Sequence, residues 1–270
     1  MSDEKLTRDQ QREAARAKAK AMREAQKKSA GRKKIALISG SIVAGIAIIG
    51  AVVFGIVLAS QNNATTDKAP ATAIFDNGIK IGKDLKVMTS TSQADPNVPN
   101  IIIYEDLQCP ACKQFEIPNM PQIGELVKAG KYTLEVHPIS FLDGNSQNEY
   151  SSRAGSALLC VADSSPDNFF DFNSALYNHQ PEEQTAGPSN DALATLAQQT
   201  GVTNSKTLDC IKNASFARWI KNATPTGKLA GTDIQFSHTP TIIVAGQEYQ
   251  GDTTNPAMFL QWLQTIAPVA

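Results

Sequence analysis

The stretch Ile101-Ile-Ile-Tyr-Glu-Asp-Leu-Gln-Cys109-Pro-Ala-Cys112-Lys-Gln-Phe115 constrains this chain more than any other. The apolar run from Ile101 to Tyr104 reads as a buried strand, and a short turn then delivers Cys-Pro-Ala-Cys to the start of a helical pattern. Pro110 suits a first helical position, where its missing N–H would have no partner anyway. Cys109 then stands where unpaired backbone N–H groups and the positive end of the helix dipole favour a thiolate, so its pKa should fall below the free value of about 8.5. Cys112 lies one turn further on, within reach of the same sulfur. The other reading of C-x-x-C is half of a zinc site, which needs a second C-x-x-C or a spaced His pair. The remaining cysteines, Cys160 and Cys210, are far apart, and His137, His179 and His238 show no ligand spacing. A redox pair is therefore expected, with no metal and no organic cofactor.

Charge divides the 270 residues into regions. Residues 1–34 carry twelve Lys/Arg and five Asp/Glu, net +7, while the whole chain is net −1. Between the basic segment and the rest lies Ile35–Ala59, without a single charge. At about 1.5 Å per residue, such a helix slightly exceeds a hydrocarbon core of about 30 Å. The expectation is a basic cytoplasmic tail (1–34), a transmembrane anchor (35–59) and a polar linker (60–75), with everything beyond outside the membrane. A cleaved signal peptide ending near Val57-Leu-Ala59 fits less well, because the apolar region exceeds the usual 7–15 residues or so. The tail lacks interleaved aromatics, so it reads as a positive-inside signal and no nucleic-acid partner is expected. All four cysteines fall on the outer side, where disulfides persist.

Folding signals begin near Ala73. Ile79-Lys-Ile-Gly and Leu85-Lys-Val-Met read as short strands, and Tyr132 to Ile139 alternates like another. Pro118 is expected to kink the helix that starts at Cys109. From Ser151 the pattern is helical, with faces marked by Ala154/Leu158/Val161, Phe169/Phe172/Leu176/Tyr177, Leu193/Leu196/Ala197 and Leu208/Ile211/Phe216. The phenylalanine cluster is expected to be packed core, with a peptide groove as the alternative. Thr239-Pro240 heads a strand to Gly246, Gln247–Gly251 reads as its hairpin partner, and Met258, Phe259, Trp262, Leu263 and Ile266 form a closing amphipathic helix.

Over roughly residues 75–270 the sequence resembles the DsbA-like thiol–disulfide oxidoreductases, in the membrane-anchored form of Gram-positive and actinobacterial envelopes. The resemblance rests on Glu-Asp-Leu-Gln-Cys-Pro-Ala-Cys-Lys-Gln-Phe, on Asp171-Phe172 with Ala175-Leu176-Tyr177, and on Thr239-Pro240 at the head of a strand. It implies an α/β thioredoxin fold (76–147 and 225–270) with an inserted helical domain (148–224), preceded by one transmembrane helix. It implies a cis Thr239–Pro240 peptide facing the cysteines and holding an extended, cysteine-containing substrate chain. The implied activity is disulfide insertion into translocated, reduced proteins through Cys109 and Cys112. A membrane partner, quinone-linked, would reoxidise the enzyme, which is expected to be a monomer. The rivals are a reductase or isomerase on the same fold and a thiol-based copper chaperone.

The sequence departs from the family pattern in places. His238 replaces a frequent Gly before Thr-Pro and is either a charge near the disulfide or a surface residue. Ala111 stands where the enteric oxidase has a His, which points to a milder oxidant. Glu105 and Asp106 are either proton acceptors for Cys112 or solvated turn residues, and a carboxylate near Cys109 would raise its pKa. Cys160 and Cys210 both fall in the helical block. In an oxidising compartment they are expected to form a structural disulfide, with two buried free thiols as the alternative.

Overall fold

The computed structural model describes Lys20, Met22 and residues 67–269. The basic tail apart from Lys20 and Met22, the uncharged run Ile35–Ala59 and residues 60–66 of the linker lie outside the described residues. Among the described residues no helix is long and apolar enough to cross a membrane. The packed chain starts earlier than residue 76: the Ala71 N–H donates to Asp163 Oδ1 at 2.7 Å, and Thr72 and Ala73 are buried.

Five strands form one mixed sheet in the order β1-β3-β2-β4-β5. They are β1 (Ile79–Ile81), β2 (Asn100–Glu105), β3 (Thr133–Pro138), β4 (Thr241–Val244) and β5 (Gln247–Glu248). Only β2 and β3 run parallel, with Ile101 opposite Leu134 and Ile103 opposite Val136. A parallel pair needs a crossover, and helix α1 (Pro110–Lys128) supplies it. The β2 positions Ile101 and Ile103 are fully buried. Each contributes roughly 1.5–3 kcal/mol by leaving water. β3 is buried along its whole length, so the alternation read in its sequence is not an in–out pattern.

Leu85-Lys-Val-Met does not form a strand. Asp84 and Leu85 adopt positive φ (61° and 58°), folding the chain back so tightly that only Val87 bridges Ile81. Helix α1 continues through Pro118 and Pro121 without ending. Five helices separate β3 from β4: α2 (Tyr150–Ser164), α3 (Phe169–Asn178), α4 (Asn190–Gln199), α5 (Ser205–Lys212) and α6 (Ala217–Ala223). The single helix expected around Leu208, Ile211 and Phe216 is two, because Ala214 takes a φ of 45° between them. Side-chain caps start α4 and α5, where Ser189 accepts from Ala192 N and Asn204 from Lys206 N. Each such cap is worth about 1 kcal/mol.

Helix α2 is the hub of this layer, buried on nearly every side and packed on α3, α4, α5 and α6. Phe169 and Phe172 are core residues, as expected, whereas Phe170 is half-buried. Gly124 of α1 lets α3 close onto it, since a Cβ there would lie 2.8 Å from Phe170 Cζ. The closing helix α7 (Pro256–Ile266) packs beside α1, with the Phe115 and Phe259 rings edge to face at 5.3 Å. Its Met258 is about half exposed, not part of the buried face.

Candidate active site

Strand β2 ends at Glu105, and a tight turn carries the chain into α1. Asp106 builds that turn. Its Oδ1 accepts from Gln108 N, its Oδ2 from Leu142 N in the loop after β3 (both 2.8 Å), and its carbonyl from Cys109 N at 2.9 Å. Asp106 is fully buried, and burial lifts its pKa to about 6. A solvated turn residue is therefore excluded at this position. Ionised Asp106 instead accepts two backbone N–H groups that tie two loops together.

Cys109 is the N-cap of α1, with Pro110 exposed at the first helical position. Its Sγ accepts from the Cys112 N–H at 3.4 Å and faces the Thr239 carbonyl, also at 3.4 Å. The Thr239–Pro240 peptide is cis. The Cys109 thiol is lowered from 9.0 to about 6. The Cys112 thiol does most of this, and Thr239 and the N–H groups of Cys112 and Ala111 add to it against the cost of burial. Cys109 is only 6 % exposed, so it is accessible at one edge rather than open. Cys112 is fully buried, and burial pushes its thiol well above 9.0. Both thiols are free, while Cys160 on α2 and Cys210 on α5 form a disulfide with Cα atoms 5.8 Å apart.

Behind Cys112 lies an acid pair. Glu105 is fully buried, and neither carboxylate oxygen meets a donor at hydrogen-bonding geometry. Burial raises it to about 7, opposed by the nearby Glu116, Asn173 and Tyr177 side chains. Glu116 on α1 is raised well above the ordinary carboxyl value, by burial and by the charge of Glu105. Asn173 of α3 donates to Glu116 Oε2 at 3.3 Å. Glu116 also lines a cleft of about 140 Å³ together with Ile117, Met120 and Phe170. The charge of Glu105 acts on Cys112 as well. Glu116 and Asn173 escaped the sequence reading, which had Tyr177 only as a helix-face residue and a mark of the family. A signal existed for Glu116: Cys112, Glu116, Asn119 and Ile123 recur at helical spacing on the buried stripe, and an acid there is out of place.

His238 does not bond either sulfur. Its Nε2 meets Glu248 Oε1 on β5 at 2.9 Å, and its ring is half exposed. Between β1 and β3, no sequence reading anticipated the buried trio in which Glu135 bonds Lys80 (2.9 Å) and His137 (2.8 Å). Among the described residues, no group of three or more His, Cys, Asp or Glu side chains is placed to hold a metal ion.

A thiol held as thiolate against the backbone of a cis-proline loop, with a buried partner thiol one turn away, is built to trade disulfides with another chain. The class is that of thiol–disulfide exchange proteins on a thioredoxin sheet. Residues 88–264 match the family model described as thioredoxin, and the chain belongs to that family. Among solved structures it is similar to oxidised DsbA of Mycobacterium tuberculosis, with 30% identity and a TM-score of 0.56 over 70% of this chain and 92% of that one. It is also similar to the disulfide bond oxidoreductase DsbG of the same organism (29% identity, TM-score 0.57, 77% and 91% covered). MdbA of Actinomyces oris, a thiol-disulfide oxidoreductase, shares the fold at 18% identity and a TM-score of 0.55, with 73% and 92% covered. No curated protein matches the sequence. The chain is a thiol–disulfide oxidoreductase of the DsbA-like kind.

Proposed function

We propose that the enzyme runs as an oxidase, inserting disulfides into reduced, translocated proteins on the outer side of a membrane to which residues 35–59 anchor it. The observation that carries this reading is the unequal thiol pair: Cys109 is lowered to about 6 while Cys112 is held well above 9.0. A stabilised thiolate favours the reduced form and makes the disulfide a better oxidant.

The reaction starts from the Cys109–Cys112 disulfide. A substrate thiolate attacks Cys109 Sγ, the Cys109–Cys112 bond breaks, and Cys112 leaves. Cys112 holds a proton at neutral pH, so it takes one as it departs, and the Glu105–Glu116 pair is the nearby donor. The mixed disulfide at Cys109 is next to the Thr239 carbonyl and Pro240, where an extended substrate backbone can pair with the loop. A second substrate thiolate then attacks the substrate sulfur, and Cys109 departs as its stabilised thiolate. The substrate has lost two electrons and the enzyme has gained them. A membrane partner, quinone-linked, returns the enzyme to the disulfide, and the protein acts as a monomer without cofactor. In this reading Cys160–Cys210 braces the helical layer and takes no part in turnover, and His238 with Glu248 flanks the substrate loop.

The test is the reduction potential, measured by equilibration with glutathione buffers and acid quenching. It should fall above that of thioredoxin, about −270 mV, and at or below that of the enteric oxidase, about −120 mV. Ala111→His should raise it, since a cation beside Cys109 favours the thiolate. A potential as low as thioredoxin's would replace the oxidase by a reductase.

A further inference from the structure

We propose that Gln180 is a positioning residue for the redox thiol: its side-chain amide, carried by the loop after α3, clamps two carbonyls of the active-site turn and fixes the backbone of Cys109. Gln180 Nε2 donates to the Leu107 carbonyl at 3.1 Å and to the Cys109 carbonyl at 3.0 Å. One amide NH₂ has two hydrogens, so a single group satisfies both acceptors. The Cys109 carbonyl already takes the first helical bond from Lys113 N at 3.2 Å. With the second acceptor direction occupied by Gln180, the peptide plane after Cys109 is held from two sides.

That plane sets where the sulfur sits. Cys109 is kept extended (φ −71°, ψ 119°), the N-cap conformation in which Sγ can meet the Cys112 N–H. A swing of ψ would carry the Cys112 N–H away from the sulfur, and the thiolate would lose a donor that stabilises it. The clamp comes from 71 residues away in sequence, just past the end of α3, where Gln180 N donates to the Tyr177 carbonyl at 3.2 Å and the loop beyond is tied down. Gln184 N donates to the Asn145 carbonyl at 2.7 Å, Gln147 N to the Thr185 carbonyl at 3.1 Å, and Arg153 reaches the Ala186 and Pro188 carbonyls at 2.8 and 2.7 Å. The helical insertion thereby tunes the redox centre without touching a sulfur. Gln180 is half-buried, so its replacement leaves the core intact.

The inference rests on Cys109 being the reactive thiol of the proposed function, and the experiment separates the two. Reduced protein is alkylated across pH 4.5–9 and the labelled cysteine is mapped by mass. Labelling of Cys112 first in the unmutated protein would refute the site reading itself. With Cys109 labelled first, Gln180→Met keeps the side-chain volume and removes both donors. It should move the labelling midpoint up by at least about half a pH unit, so that labelling at pH 5 slows roughly threefold, and should shift the glutathione equilibrium toward the disulfide by a similar factor. Gln147→Met is the control. It removes the 2.9 Å bond to the Gln184 carbonyl in the same loop, and should lower the melting temperature while leaving the midpoint in place. An unchanged midpoint in Gln180→Met, an equal shift in Gln147→Met, or failure of both Gln180→Met and Gln180→Ala to fold would make Gln180 a structural strut and overturn the proposal.

Discussion

Replacing Cys109 by Ser should remove about 2 kcal/mol of stability that the reduced protein gains between pH 6 and pH 8. The Cys109 thiol is lowered from 9.0 to about 6. A depressed pKa contributes stability that is fully present above the unfolded value and is lost as pH falls through the folded one. Integrating the difference in bound protons from pH 6 to pH 8 gives about 2 kcal/mol, at about 1.4 kcal/mol per pKa unit. Cys109 is only 6 % exposed, so solvent screening takes little from this figure. Cys112 is raised well above 9.0 and stays protonated across the window in both proteins. Glu105 and Asp106, raised to about 7 and about 6, titrate within the window, but they do so in both proteins and largely cancel in the comparison. The assay is urea unfolding of the two proteins at pH 6, 7 and 8. Reduced glutathione keeps the Cys109–Cys112 pair open. For a domain of about 200 residues the same difference appears as roughly 4–8 °C in melting temperature. Parallel pH profiles would mean that Cys109 is not a thiolate in the folded protein. A gap that widens toward acid would mean that its pKa is raised, and the account of the site would fail with it.

The acid pair and the helical layer supply three further tests. Glu105→Gln should slow oxidation of a reduced peptide by about 10- to 100-fold at neutral pH, because Cys112 loses its proton donor; stopped-flow turnover checks this. The same variant should be stabilised relative to the parent more at pH 8 than at pH 4, since a carboxyl with a raised pKa destabilises the fold once pH exceeds its unfolded value, and thermal melts at the two pH values check the sign. Replacing Cys160 and Cys210 together by Ala should cost roughly 2–4 kcal/mol, the entropy of releasing a loop closed across 50 residues, and leave peptide oxidation per folded molecule nearly unchanged.

Local chemistry made part of this protein readable without coordinates. Pro110 after Cys109, an apolar strand before the pair and one turn between the cysteines define the N-terminus of α1 from contiguous residues, where short-range rules govern. The helical faces around Leu158, Phe172 and Leu193 were visible because a 3.6-residue period survives in the sequence. The cis peptide before Pro240 and the thioredoxin sheet came from likeness to a family, since neither spacing nor composition encodes an isomer. What only the tertiary structure decided are the properties set by residues distant along the chain. Glu105 and Asp106 look like turn acids until α3 and the loop after β3 close over them, and that closure is what raises their pKa values. His238 could have faced the sulfur, but a strand ten residues on supplies Glu248 to hold it. The break at Ala214 follows from packing two short helices against α2, which local propensity does not report. Gln180 carries no signal at all in the sequence, because a glutamine becomes a clamp only when the fold sets two carbonyls within 3.1 Å of its amide. The sequence thus specifies which atoms can do chemistry, while burial and long-range hydrogen bonds, which depend on the closed fold, decide which of them are charged and where they point.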